Sequence, residues 1–283
     1  MVNLDALRKE IFGVNGFVVK LRREFGLDSP QRLAERTQEV IRRQFGRVTC
    51  KNVNDVLCAL LDQEYEVYKE LEQQAITHAV QIALQFPEFE ELHQVISAAL
   101  KAVRDDSLAA EERLTIVGQN LAGFYKLLSE SFAQSRRTRA GGSAQYHIDY
   151  VLQQLGYRGV YEKQQVLNGT VDFLFPSLDQ WKKDRRMCVI VSIKRSLRER
   201  YKQVFEELNI SKGLTVYLIV TETENEAQRD ITLEKVEYLD QHNIYLVVRD
   251  AVKIRFTKQA NVLGFTDFFC KQLRRLRQRW RGS

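Results

Sequence analysis

Two adjoining stretches decide the reading: NGTVDFLFPS over residues 168–177 and MCVIVSIKRSLRERYKQVFEEL over residues 187–208. Each holds a short apolar run bounded by turn-forming or charged residues, as expected of a strand buried in a sheet. Asp172 sits in the first run, Lys194 closes the second, and Glu207 lies on the helix expected after it. Two strands and a helix would thus bring two carboxylates and a lysine to one place. Metal-assisted hydrolysis of a phosphodiester needs such a set, because a divalent ion withdraws charge from the phosphate and acidifies the attacking water. Mg²⁺ prefers oxygen ligands, usually one or two carboxylates, with water and phosphate completing the shell. Asp172 and Glu207 are the expected carboxylates, and the carbonyl of Ile193 is a third oxygen at the same strand end. Lys194 shares a strand face with Ser192, two residues earlier, and would orient or help deprotonate the water.

The helix expected over 196–208 fits a second task. Leu197, Tyr201, Val204, Phe205 and Leu208 fall on one arc that would pack on a sheet. Arg200 and Glu207, seven apart, share a flank of that arc. Arg198, Glu199 and Arg200 occupy the first turns, the part of a recognition helix that enters a DNA groove. Arginine forks match guanine O6 and N7, and a carboxylate accepts from the cytosine amino group, so the triplet suits G·C pairs. The same charges also suit an ordinary solvated helix face.

Upstream and downstream of this unit the pattern is mixed. Strands are expected over 160–166, 171–175, 188–193, 215–220 and 244–248, and helices over 143–155, 196–208, 228–241 and 264–280. That order predicts an α/β domain with a central mixed sheet flanked by helices. Residues 1–134 instead carry helical periodicity almost throughout. Ser29-Pro30 opens one helix that stops at Gly46, a longer one runs from about 54 to 84, and Pro87 separates it from the next. The expected division is therefore an all-α domain, 1–134, for dimerisation or for embracing a ligand, followed by a catalytic and DNA-recognition domain, 135–283. The basic, glycine-bearing SRRTRAGGSA near the junction is a hinge or a phosphate contact through Arg139.

Composition bounds the rest. Hydrophobic residues make up 44% of the 283 and charged residues 28%, as in ordinary globular proteins. No apolar run approaches the roughly 18–20 residues that span a bilayer, and the N-terminus lacks a signal-peptide core, so a cytoplasmic protein is expected. Cys50, Cys58, Cys188 and Cys270 show no CxxC spacing, which argues for unpaired thiols rather than a zinc knuckle or disulfide framework. The net charge of +6 is only mildly basic, but the final KQLRRLRQRWRGS holds six basic residues and no acid. That tail is either a solvated helix end or a phosphate contact.

The segments VDF and VSIKRSLRERYKQVFEEL resemble the PD-(D/E)XK nuclease fold of type II restriction endonucleases, in particular the EcoRII–SsoII group and its CCGG-cutting, BsaWI-like relatives. In that group the second acid comes from the helix after the lysine rather than from two residues before it. Here Ser192 stands two before Lys194, and Glu207 falls where the displaced acid belongs. RAGGSAQYHIDYVLQQLGY resembles the group's RAG-containing helix, which normally presents a glutamate soon after the glycines. This chain has Gln145 there, so either its amide oxygen serves, or Asp149 one turn on compensates, or only one metal is held well.

The resemblance implies a Mg²⁺-dependent endonuclease acting as a homodimer or higher assembly on a palindrome in double-stranded DNA with a CC…GG core. Asp172, Lys194, Glu207 and Gln145 would cut, and Arg198, Glu199 and Arg200 would read the bases. A repair or recombination nuclease of the same superfamily without sequence specificity is the nearest alternative. A helical DNA-binding or interaction protein without activity is the alternative from another class.

Overall fold

The computed structural model describes residues 4–139, 143–166, 171–197 and 214–281, with side chains for all of these except 136–139, 164–166 and 281. The chain forms two compact units, Met1–Leu33 with Tyr65–Ala140, and Ala34–Glu64 with Gly141–Ser283.

The second unit is built on a six-stranded sheet whose spatial order follows chain order. β1 (Glu162–Val166), β2 (Val171–Phe175) and β3 (Val189–Lys194) are antiparallel neighbours, with Phe173 opposite Val191. β3, β4 (Val216–Val220), β5 (Ile244–Val248) and β6 (Val262–Gly264) run parallel. The sheet is therefore mixed, as expected. Its inner strands are nearly continuous apolar runs because both faces are covered. Phe173, Phe175, Val191, Tyr217, Ile219 and Val247 face a core that includes Ile148, Val151 and Leu152 of the helix Ser143–Gln154. Leu174, Ile190, Leu218, Val220, Leu246 and Val248 face the other core, with Ala227, Val236 and Leu239.

Three expectations need correction here. The helix expected over 228–241 is two helices, Glu224–Asp230 and Leu233–Gln241. Each has its own threonine cap, Thr223 with Glu226 in a reciprocal capping box and Thr232 accepting from the Lys235 amide, so the chain restarts between them. The helix expected over 264–280 starts at 265, within one residue of expectation, but is not α-helical throughout. Val262–Gly264 forms the three-residue β6, too short to signal in the sequence, and a π-helical turn, Asp267–Gln272, precedes the α-helix Leu273–Arg281. Gly264 is required there, since a Cβ would stand 2.3 Å from the Asp250 Oδ1 that accepts the Thr266 amide. Finally, Cys50 and Cys270 are joined in a disulfide with Cα atoms 5.6 Å apart, while Cys58 and Cys188 are thiols. A separation of 220 residues leaves no local spacing to read.

The first unit is helical throughout its described regular elements: Leu4–Phe12, Phe17–Glu24, Glu90–Val103 and Ala110–Arg139. The helices Pro30–Phe45 and Val53–Ala83 contribute residues to both units. Gly46, at φ +70°, ends the first of these where the sequence places its stop. Phe17, Leu21, Leu92, Ile96, Phe124, Leu128 and Phe132 form this unit's core. Residues 34–64 lie in the second unit instead. Ile41, Val53, Val56, Leu57 and Leu60 belong to a core of the sheet, because helical periodicity reveals a buried face but not what buries it.

The helix after Pro87 starts at Glu90 without a side-chain cap of its own. Glu10 supplies one, its two carboxylate oxygens accepting the amides of Glu91 and Leu92 at 3.0 Å each. Glu10→Ala should therefore cost about 1 kcal/mol, the usual price of a lost N-terminal cap. A urea midpoint unchanged from wild type would contradict this.

Candidate active site

Extending the pairing of Phe173 with Val191 places Asp172 opposite Ser192, with their side chains on one face of the sheet. Lys194 follows two residues later on that same face, at the carboxyl end of β3. Asp172 and Lys194 are both half-buried. The Ile193 amide donates to Asp172 Oδ2 at 2.7 Å, and the Ser192 hydroxyl lies 3.5 Å from the same oxygen. Because the N–H and C=O of one strand residue point to the same edge, the Ile193 carbonyl also faces the β2 side. Two hard oxygens of different kinds thus lie at one strand end, a donor set that fits Mg²⁺.

Gln145, on the helix Ser143–Gln154, reaches this end as well, its Nε2 donating to the Asp172 carbonyl at 3.2 Å. Asp149, one turn on, bonds to other side chains. Its Oδ1 accepts from the Tyr161 hydroxyl at 2.5 Å, and its Oδ2 accepts from Lys163 at 2.7 Å and Gln153 at 2.8 Å. Burial and this carboxylate hold the Tyr161 hydroxyl well above its ordinary pKa. His147 is also structural, its ring nitrogen 2.8 Å from Glu64 Oε2 inside the unit. Arg198, Glu199, Arg200 and Glu207 lie outside the described residues, and so does the side chain of Arg139.

The basic C-terminal helix packs its apolar side inward. Leu273 is fully buried, Trp280 stacks on Phe175 at 5.7 Å, and the Trp280 indole donates to the Met187 carbonyl at 2.7 Å. Arg275 and Arg279 face outward and, with Arg186, line a cavity of about 410 Å³. That cavity lies at the amino ends of β3, β4 and β5, at the other end of the strands from Lys194.

One cluster at the carboxyl ends of the strands escaped the sequence reading. Glu222, two residues past β4 and 2% exposed, accepts the Leu197 amide on Oε1 at 2.9 Å. Its main-chain carbonyl accepts from Arg249 Nε at 2.7 Å. Arg249, 4% exposed, grips Asp62 with both terminal nitrogens at 2.7 and 2.6 Å. Burial, with Asp230 and Glu226 nearby, pushes the Glu222 carboxyl up to about 7. An acid just beyond a parallel strand, in the crevice where α/β sheets hold ligands, was the available signal. Asp62→Ala would leave the Arg249 guanidinium buried without its counter-ion. The loss should be about 2 kcal/mol, below the roughly 3–5 of a fully buried pair because water reaches Asp62. Denaturation showing no loss would mean that this pair adds nothing.

Residues 101–269, more than half of the chain, match the family described as EcoRII C terminal. The chain belongs to the EcoRII C-terminal family. A type II restriction enzyme, SsoII of Shigella sonnei, is 25% identical over 150 residues, 50% of this chain and 47% of that enzyme. The match thus spans about half the length of this relative. Metal-depleted Ecl18kI in complex with uncleaved, modified DNA aligns at a TM-score of 0.67 and 17% identity, over 99% of this chain and 86% of that one. The PspGI–substrate DNA complex aligns at 0.51 and 16%, over 98% of both. The fold is that of these restriction endonucleases, with Asp172 and Lys194 on adjacent antiparallel strands of the EcoRII-family sheet.

Proposed function

We propose that the protein is a Mg²⁺-dependent type II restriction endonuclease, cutting both strands of duplex DNA at a palindrome with a CC…GG core. The observation that carries this reading is the shared face of Asp172 and Lys194, with the Ile193 amide on the Asp172 carboxylate, in a chain of this family. Asp172, Glu207 and the Ile193 carbonyl would hold the cation, which supplies positive charge at the phosphate and lowers the pKa of the attacking water. Lys194 orients that water and stabilises the negative charge that develops on the phosphate. Arg198, Glu199 and Arg200 read the G·C pairs, and Arg139 contacts the backbone. A palindrome calls for a two-fold assembly, so the enzyme acts as a homodimer or a higher oligomer, with the helical unit of residues 1–33 and 65–140 serving assembly. No helix among the described residues is long and apolar enough to cross a membrane, which suits cytoplasmic work on DNA.

The test is incubation of the purified protein with a long duplex in Mg²⁺, in Mn²⁺ and in EDTA. Discrete fragments in the metal lanes alone support the reading, and intact DNA with folded protein in every lane overturns it. Loss of site preference, but not of cutting, in an Arg198→Ala variant would place specificity on that residue. Gln145→Glu should leave cutting equal or faster, since it restores an acid beside Asp172. A fall of tenfold or more would instead assign the amide its own role.

A further inference from the structure

We propose that Glu222 is a positioning residue, fixing where the DNA-reading stretch leaves the sheet. The proposal rests on the assignment of base reading to Arg198, Glu199 and Arg200. Leu197, the residue before that triplet, is held at three points. Its amide donates to Glu222 Oε1 at 2.9 Å, its carbonyl accepts from Lys235 Nζ at 3.4 Å, and its side chain is 1% exposed in a sheet core. Lys235 is itself held, donating to the Asp230 carbonyl at 2.7 Å.

Glu222 is secured from behind. Arg249 donates to its carbonyl and to Asp62, so the main chain at 222 is tied to the helix Val53–Ala83 as well as to β5's end. The arrangement is costly, since a carboxyl is buried next to Asp230 and Glu226, and both of these acids favour its protonated form. An apolar residue there would avoid that cost but leave the Leu197 amide buried without an acceptor. Lys194 and Arg198 are separated by Arg195, Ser196 and Leu197 alone. A fixed Leu197 therefore sets the offset between the cutting residue and the reading residues, which a palindrome-reading enzyme needs constant.

Full-length wild type, Glu222→Gln, Glu222→Leu and Lys235→Met proteins test this with two measurements. Hydrogen exchange at the Leu197 amide should be at least tenfold faster in Glu222→Leu, with β3 and β4 unchanged. Glu222→Gln, which keeps an acceptor, should match wild type. Lys235→Met should move in the same direction as Glu222→Leu by less, and it serves alone if Glu222→Leu does not fold. Binding is then compared, in EDTA, between a duplex carrying the mapped cleavage site and a scrambled duplex of equal length. Glu222→Leu should lose tenfold or more of the preference while its affinity for the scrambled duplex stays the same. Unchanged exchange in both Glu222→Leu and Lys235→Met, or equal damage in Glu222→Gln, overturns the proposal. If wild type cuts no DNA and no site can be mapped, the nuclease reading fails, and the exchange measurement alone decides the role of Glu222.

Discussion

Lys194→Ala is expected to lower the strand-cleavage rate on the order of 10³-fold while leaving DNA binding within a few-fold of wild type. The backbone at this position is independent of its side chain, since the Lys194 carbonyl accepts the Thr221 amide at 3.1 Å and β3 pairs on both sides. Its removal therefore takes away charge and a donor at the phosphate without undoing the sheet. Asp172→Ala should be as inactive, but it also strips the acceptor from the Ile193 amide. That adds a stability loss of about 1–2 kcal/mol. Asp172→Asn separates the two roles, because its amide oxygen still accepts from Ile193 while the negative charge for the cation is gone. The asparagine variant should be inactive and stable, the alanine variant inactive and less stable. Wild-type cutting by either alanine variant would show that the catalytic assignment is wrong.

The second large effect concerns pH. The Glu222 carboxyl is raised from 4.5 in the unfolded chain to about 7 in the fold. Below pH 4.5 both states hold the proton and the residue is neutral in its effect. Between 4.5 and 7 the unfolded chain releases the proton and the fold keeps it, so stability falls as pH rises. Above 7 the loss is complete, about 3 kcal/mol for a shift of this size. Glu222→Gln has no proton to release, so its stability relative to wild type should grow by that amount between pH 4.5 and pH 8. Denaturant titrations at both pH values check it, and a constant difference between the two proteins would mean that Glu222 is ionised throughout. A cost of this size at working pH accords with a carboxylate kept for its grip on Leu197.

Much of the fold was legible because its strands are short apolar runs with clear boundaries. The run VDFLF at 171–175 is β2 to the residue, and β3, β4 and β5 lie within one residue of expectation at either end. What stayed hidden depends on partners distant in sequence. Nothing local to Cys50 points to Cys270, and nothing local to Ile41 or Leu57 says that they pack under the sheet rather than among the first helices. At the candidate site, strand alternation was enough to put Ser192 and Lys194 on one face, while the register that adds Asp172 and the main-chain bond from Ile193 emerged only in three dimensions. Asp149 shows what spacing leaves out. Its spacing made it a possible stand-in for an acid at Gln145, and its commitment to Tyr161 and Lys163 was invisible from that spacing. Glu222 was passed over because a lone acid after a strand is common, and its meaning comes from the Leu197 amide it faces.

Digestion of a sequenced plasmid in Mg²⁺, followed by mapping of every fragment end, tests the central claim most directly. The account predicts ends at one recurring palindrome with a CC…GG core, and none when EDTA replaces Mg²⁺ or when Lys194→Ala replaces wild type. Ends scattered without a common sequence, or a plasmid left intact by folded protein in Mg²⁺, would contradict it.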